Sequence, residues 1–88
     1  MLKKIIEIAN KNKEYVKSEE IKEIIEKYGT LEGFNFTVIL WRIDLPKILL
    51  IFLPRSIWVV EDTEAKKCYI YRDRNAAFLH FLLGREQK

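Results

Sequence analysis

Phe34-Asn35-Phe36-Thr37-Val38-Ile39-Leu40-Trp41-Arg42-Ile43 is the stretch on which the fold turns. β-Branched and aromatic residues dominate it, and such side chains suit a pleated, half-buried surface better than a helix. Read as one strand, it puts Phe34, Phe36, Val38 and Leu40 on one side. Asn35, Thr37, Ile39, Trp41 and Ile43 fall on the other. Asp44-Leu45-Pro46-Lys47 follows as a turn, because proline cannot donate to a ladder. Residues 47–53, Lys-Ile-Leu-Leu-Ile-Phe-Leu, are apolar on both parities, as in a strand covered on both faces, a pattern that a short buried helix shares.

Downstream, residues 57–61 and 67–72 flank the polar stretch Asp62-Thr63-Glu64-Ala65-Lys66, which reads as a β-hairpin with a loop of four to five residues. Asp73 then stands where it can cap a last helix running through Ala76, Ala77, Phe78, Leu79, Phe81, Leu82 and Leu83 to near Gly84. That helix is apolar almost all round, so it needs cover on more than one side.

Upstream, Leu2, Ile5, Ile6 and Ala9 recur with helical spacing and predict a first helix that fades in Asn10-Lys11-Asn12-Lys13, followed by a loop. Ser18 reads as the N-cap of a second helix, with Glu19 and Glu20 at the positive end of its dipole. Ile21, Ile24, Ile25 and Tyr28 form its apolar stripe, and Gly29 is expected to end it in the left-handed conformation. The sum is a single α+β domain over residues 1–88. It has two N-terminal helices, an antiparallel sheet of three to four strands with a C-terminal hairpin, and a closing apolar helix.

The 88 residues are 49% apolar and 33% charged, a globular balance with a net charge of +3. Cys68 is the only cysteine, so no disulfide framework exists and a reducing, cytoplasmic home is expected. The N-terminal residues lack the apolar core of a signal peptide, and Arg42, Asp44, Lys47 and Arg55 interrupt the most apolar region before it reaches the roughly 20 residues of a membrane span. Ten Glu, eleven Lys and twelve Ile against one Gln, one Cys and one Met match the bias of thermophile proteins.

Residues 1–33 hold seven Lys and seven Glu, so the whole net charge falls on residues 34–88. If Trp58 on one hairpin strand and Lys67, Tyr69 and Tyr71 on the other share a face, rings and a cation stand where single-stranded bases could stack. Arg55, Lys66, Arg72 and Arg74 at the strand ends would then meet phosphates. The expectation is a small non-enzymatic nucleic-acid-binding protein preferring single strands. Its alternative is a protein-interaction module, a homodimer or an accessory subunit of a larger complex, because the rings and the last helix offer more apolar surface than a small sheet covers.

The order helix, helix, apolar segment, hairpin, helix also resembles that of winged-helix DNA-binding domains, with residues 57–72 as the wing. That resemblance implies a reading helix, for which neither residues 36–43 nor 45–53 supply exposed basic side chains. Catalysis has no candidate set and no cofactor is implied. The three glycines are scattered, so no phosphate loop is present. His80 has no Cys or His at i±3 or i±4 to complete a metal site. Asp44 with Glu64 and Lys66 carries the residue types of a metal-dependent nuclease, but in two separate turns.

Overall fold

The computed structural model describes residues 15–44 and 56–83. In chain order these form β1 (Tyr15–Lys17), α1 (Ser18–Tyr28), β2 (Gly29–Asn35), β3 (Val38–Asp44), β4 (Ser56–Asp62), β5 (Lys67–Tyr71) and α2 (Arg74–Leu83). The five strands make one antiparallel sheet in the order β1-β5-β4-β3-β2.

The organising element is β4. Ile57, Trp58, Val59 and Val60 are all buried, so both faces of the central strand need a cover. Ile57 and Val59, with Val16, Ile43, Cys68 and Ile70, take Ile21, Ile24 and Ile25 of α1 on one face. Trp58 and Val60, with Val38 and Leu40, take Ala77 and Phe81 of α2 on the other. The result is three layers, helix, sheet and helix. Each fully buried Ile or Val contributes about 1.5–3 kcal/mol relative to exposure.

The α+β class, the antiparallel pairing, the hairpin and the closing helix hold. The sheet is larger than the three to four strands expected. The helix expected from Leu2 to Ala9 and the segment 47–53 lie outside the described residues.

Two strands account for the difference. Residues 15–17 read as loop, but Val16 faces the core opposite Cys68 while Tyr15 and Lys17 flank it. Residues 29–33, between the expected helix end at Gly29 and the apolar stretch from Phe34, carry no expected element, yet they pair with β3 through a bulge between Leu31 and Gly33. Glu32 at that bulge sits 3.3 Å from the Arg42 guanidinium. The stretch 34–43 is therefore not one strand. It turns at Phe36 and Thr37, with Phe36 at a positive φ of 58°, a conformation in which glycine or asparagine is the usual occupant. The winged-helix alternative falls with this topology, since residues 57–72 form two inner strands of a sheet and residues 38–43 form a third.

Two caps also differ from expectation. Lys17 is the N-cap of α1, and its backbone N–H donates to Glu20 Oε2 at 2.9 Å. The Ser18 hydroxyl instead lies 3.6 Å from Cys68 Sγ, and the Ser18 N–H donates to the Lys66 carbonyl at 3.0 Å, tying α1 to the hairpin turn. Gly29 is extended (φ −85°, ψ 145°) and passes directly into β2. Its need for glycine is spatial: a Cβ there would lie 2.5 Å from the Ile25 carbonyl oxygen. The expected cap of α2 does form, with Asn75 N–H donating to Asp73 Oδ1 at 3.2 Å.

Because the atom that a Gly29 methyl would meet belongs to the α1 backbone, relief requires the helix end to move. Gly29→Ala is expected to lower stability by about 1–3 kcal/mol, read as a shift in the urea midpoint. An unchanged midpoint would show that α1 does not end against β2 in this way.

Candidate interaction surfaces

Strand alternation and the observed register put Trp58, Lys67, Tyr69 and Tyr71 on one face of the sheet, as the sequence suggested. They do not form an open platform, because α2 lies on that face. Trp58 is buried, with the Arg74 guanidinium 5.8 Å from its ring centre and Phe78 5.9 Å from the same guanidinium. Arg74 opens α2, Arg72 is exposed in the link before it, and Lys66 occupies the β4–β5 turn at a φ of 58°. Arg55 lies outside the described residues.

Tyr69 and Tyr71 are half-buried and meet His80 of α2. The imidazole centre is 4.6 Å from the Tyr69 ring and 5.5 Å, edge-on, from the Tyr71 ring. Tyr71 Oη also hydrogen-bonds His80 Nδ1. Burial holds the His80 pKa below its ordinary 6.5, against a smaller upward pull from Asp62. Burial, then Tyr69, raises that of Tyr71. At neutral pH the bond therefore joins an uncharged phenol to a neutral imidazole, and the imidazole tautomer sets which of the two donates. This ring cluster anchors α2 to β5, and in it His80 is a partly buried imidazole with a hydrogen-bond partner.

One strip of the same face extends past α2. Tyr15 on the edge strand β1 is 47% exposed, lies 6.0 Å from Tyr69, and carries Lys67 Nζ 4.3 Å above its ring. Tyr15 does not stand out in the sequence, because a three-residue strand has too few alternations to be recognised. The described residues contain eight Lys and Arg against ten Asp and Glu, so the described part of the fold is not basic.

The outer side of α2 is the other feature. Ala77 and Phe81 face the sheet, whereas Phe78, Leu79 and Leu82 remain 42%, 58% and 53% exposed beside the partly exposed Leu83. From Ala76 to Leu83 the helix carries no acidic or basic side chain other than His80. The expected apolar excess is therefore real, and the helix is the element that carries it. A second exposed apolar group, Leu31, Phe34 and Phe36, marks β2 and its turn.

The residue types of a metal-dependent nuclease do not come together. Asp44 accepts from the Ser56 hydroxyl at 2.9 Å at one end of β4, while Glu64 and Lys66 follow its other end. Six residues of strand separate them, about 20 Å. No group of three potential metal ligands is present among the described residues, and no described helix is long and apolar enough to cross a membrane. Cys68 is fully buried, and that burial pushes its thiol up to about 11, so it stays protonated and unreactive at neutral pH. Comparison with protein families, with curated proteins and with solved structures found no match to the chain.

The ring cluster makes folding stability depend on pH. Because the folded His80 pKa lies below 6.5, the unfolded chain takes up the proton more readily. The His80 contribution is intact above about pH 7 and is lost as pH falls through 6.5 toward the folded value. The urea midpoint is expected to fall between pH 7.5 and pH 5.5, and to fall less in His80→Phe. Equal pH dependence in the two proteins would remove His80 from the account.

Proposed function

We propose that this chain is a non-catalytic protein-interaction module that docks its partner on the outer side of α2. The observation carrying this reading is the stripe of Phe78, Leu79, Leu82 and Leu83, exposed along a helix whose opposite side is already used to cover the sheet. A contiguous apolar stripe left in water is costly, and burial against a complementary surface relieves the cost. The absence of acidic or basic side chains other than His80 between residues 76 and 83 favours an equally apolar partner, and it lets a second copy of this chain pack against α2 without like-charge repulsion.

Light scattering on the wild type and on a Leu79→Glu, Leu82→Glu variant tests this. The reading predicts a wild-type mass of two chains or more, rising with concentration, and a variant of single-chain mass with an unchanged circular dichroism spectrum. A wild type that stays at single-chain mass up to millimolar concentration would contradict self-association. Wild-type and variant proteins equally soluble and equally inert toward apolar helical peptides would contradict the reading as a whole.

The strip of Tyr15, Tyr69 and Lys67 favours a second reading, binding of single-stranded nucleic acid by stacking at the β1–β5 edge. It shifts the contact away from Trp58, which α2 covers. On this reading a single-stranded oligonucleotide quenches tryptophan fluorescence only weakly, since Trp58 is shielded. Tyr15→Ala or Tyr69→Ala then weakens binding by about 1–3 kcal/mol in a salt-dependent titration followed by anisotropy. No binding at low salt would eliminate it.

A further inference from the structure

On the opposite side of the sheet from α2, a cleft of about 1050 Å³ opens between α1 and the β4–β5 turn. That is at the upper end of the sizes of sites that hold small organic molecules. Ile25 and the backbone of Gly29 form part of its apolar wall together with the half-buried Trp41 indole. The indole is fixed in place, since its Nε1–H donates to Glu61 Oε1 at 2.9 Å. A held aromatic ring is a stacking surface that needs no ordering when a ligand arrives.

The lining is also rich in ammonium groups. Lys17, Lys22 and Lys66 line the cleft with Glu19, Glu26 and Glu61, and Tyr15 and Lys67 border it where it reaches the β1–β5 edge. Glu61 is engaged by Trp41, and Lys67 sits over Tyr15. Arg42 pairs with Glu32 and Asp44, and no ion pair of Lys22 or Lys66 is found among the described residues. Lys66 is anchored through its own backbone, because its carbonyl accepts the Ser18 N–H at the start of α1. The backbone that carries its exposed side chain is thus fixed beside the cleft.

We propose that this cleft binds a small organic anion with a flat apolar body, the body lying against Trp41 and the anionic group between Lys22 and Lys66. An aromatic acid and a nucleoside monophosphate share that chemistry. The cleft and the α2 stripe lie on opposite layers, so occupancy of one leaves the other exposed.

Titrating the wild-type chain with 1-naphthalenesulfonate, AMP and the neutral analogue 1-naphthalenemethanol, followed by proton–nitrogen correlation spectra, tests the proposal. The two tryptophans give separate indole signals. The expected result is a saturable shift of the Trp41 indole and of the Gly29 and Ala65 amides with at least one anion, with the Trp58 indole unmoved. Saturation by AMP assigns the site to nucleotides, and saturation by the sulfonate alone assigns it to apolar acids. Lys66→Glu and Lys22→Glu, with dispersed spectra, should each raise the dissociation constant about tenfold, the loss of one charge-assisted contact. No saturable shift below 1 mM with either anion, or equal binding of the neutral alcohol, would overturn it.

Discussion

A central strand buried on both faces is the constraint from which the rest of the structure follows. The run Ile57-Trp58-Val59-Val60 needs apolar cover above and below, and two helices supply it from opposite ends of the described chain. α1 has a narrow stripe and meets the need with three isoleucines, leaving its other side charged. α2 is apolar almost all round, and only Ala77 and Phe81 are buried against the sheet. The asymmetry between the two helices separates the structural layer of the protein from the layer with surface to spare.

That separation shapes the functional account. Trp58, Tyr69 and Tyr71 hold α2 in place, through ring contacts and the hydrogen bond between Tyr71 and His80. The aromatic face that looked like a binding platform is thus the seat of a helix. What it supports is the exposed row of Phe78, Leu79 and Leu82 above it. The same strand pair carries Glu61 and Lys66 toward the α1 layer, where they meet Trp41 and a cleft. Both proposed sites therefore depend on the β4–β5 hairpin without sharing a surface.

Much of this was legible in the residues. The stripe of α1, the hairpin and its polar loop, the Asp73 cap and the apolar excess of α2 all follow from periodicity and local chemistry. The face shared by Trp58, Lys67, Tyr69 and Tyr71 followed from strand alternation alone. The two edge strands did not. Tyr15-Val16-Lys17 is too short to show a period, and its pairing with β5 is set by contacts 50 residues away in sequence. Gly29 to Gly33 looks like loop because local propensity opposes a strand there, and pairing with β3 overrides it. The two central residues of the turn, Phe36 and Thr37, are neither Gly nor Asn, so the stretch reads as one strand where two exist. Occupancy of a face was the deeper difficulty, since alternation says which side chains share a face but not whether a helix already covers it.

The central claim is that α2 covers the Trp58 face with one side and keeps the other in water. Paramagnetic relaxation by a soluble gadolinium chelate, measured on dilute protein, tests it most directly. The account predicts strong broadening of the Leu79 and Leu82 methyl signals, with the Trp58 indole and the Phe81 ring largely spared. Broadening of Trp58 as strong as that of Leu79 would contradict it, since α2 would then not lie on the sheet.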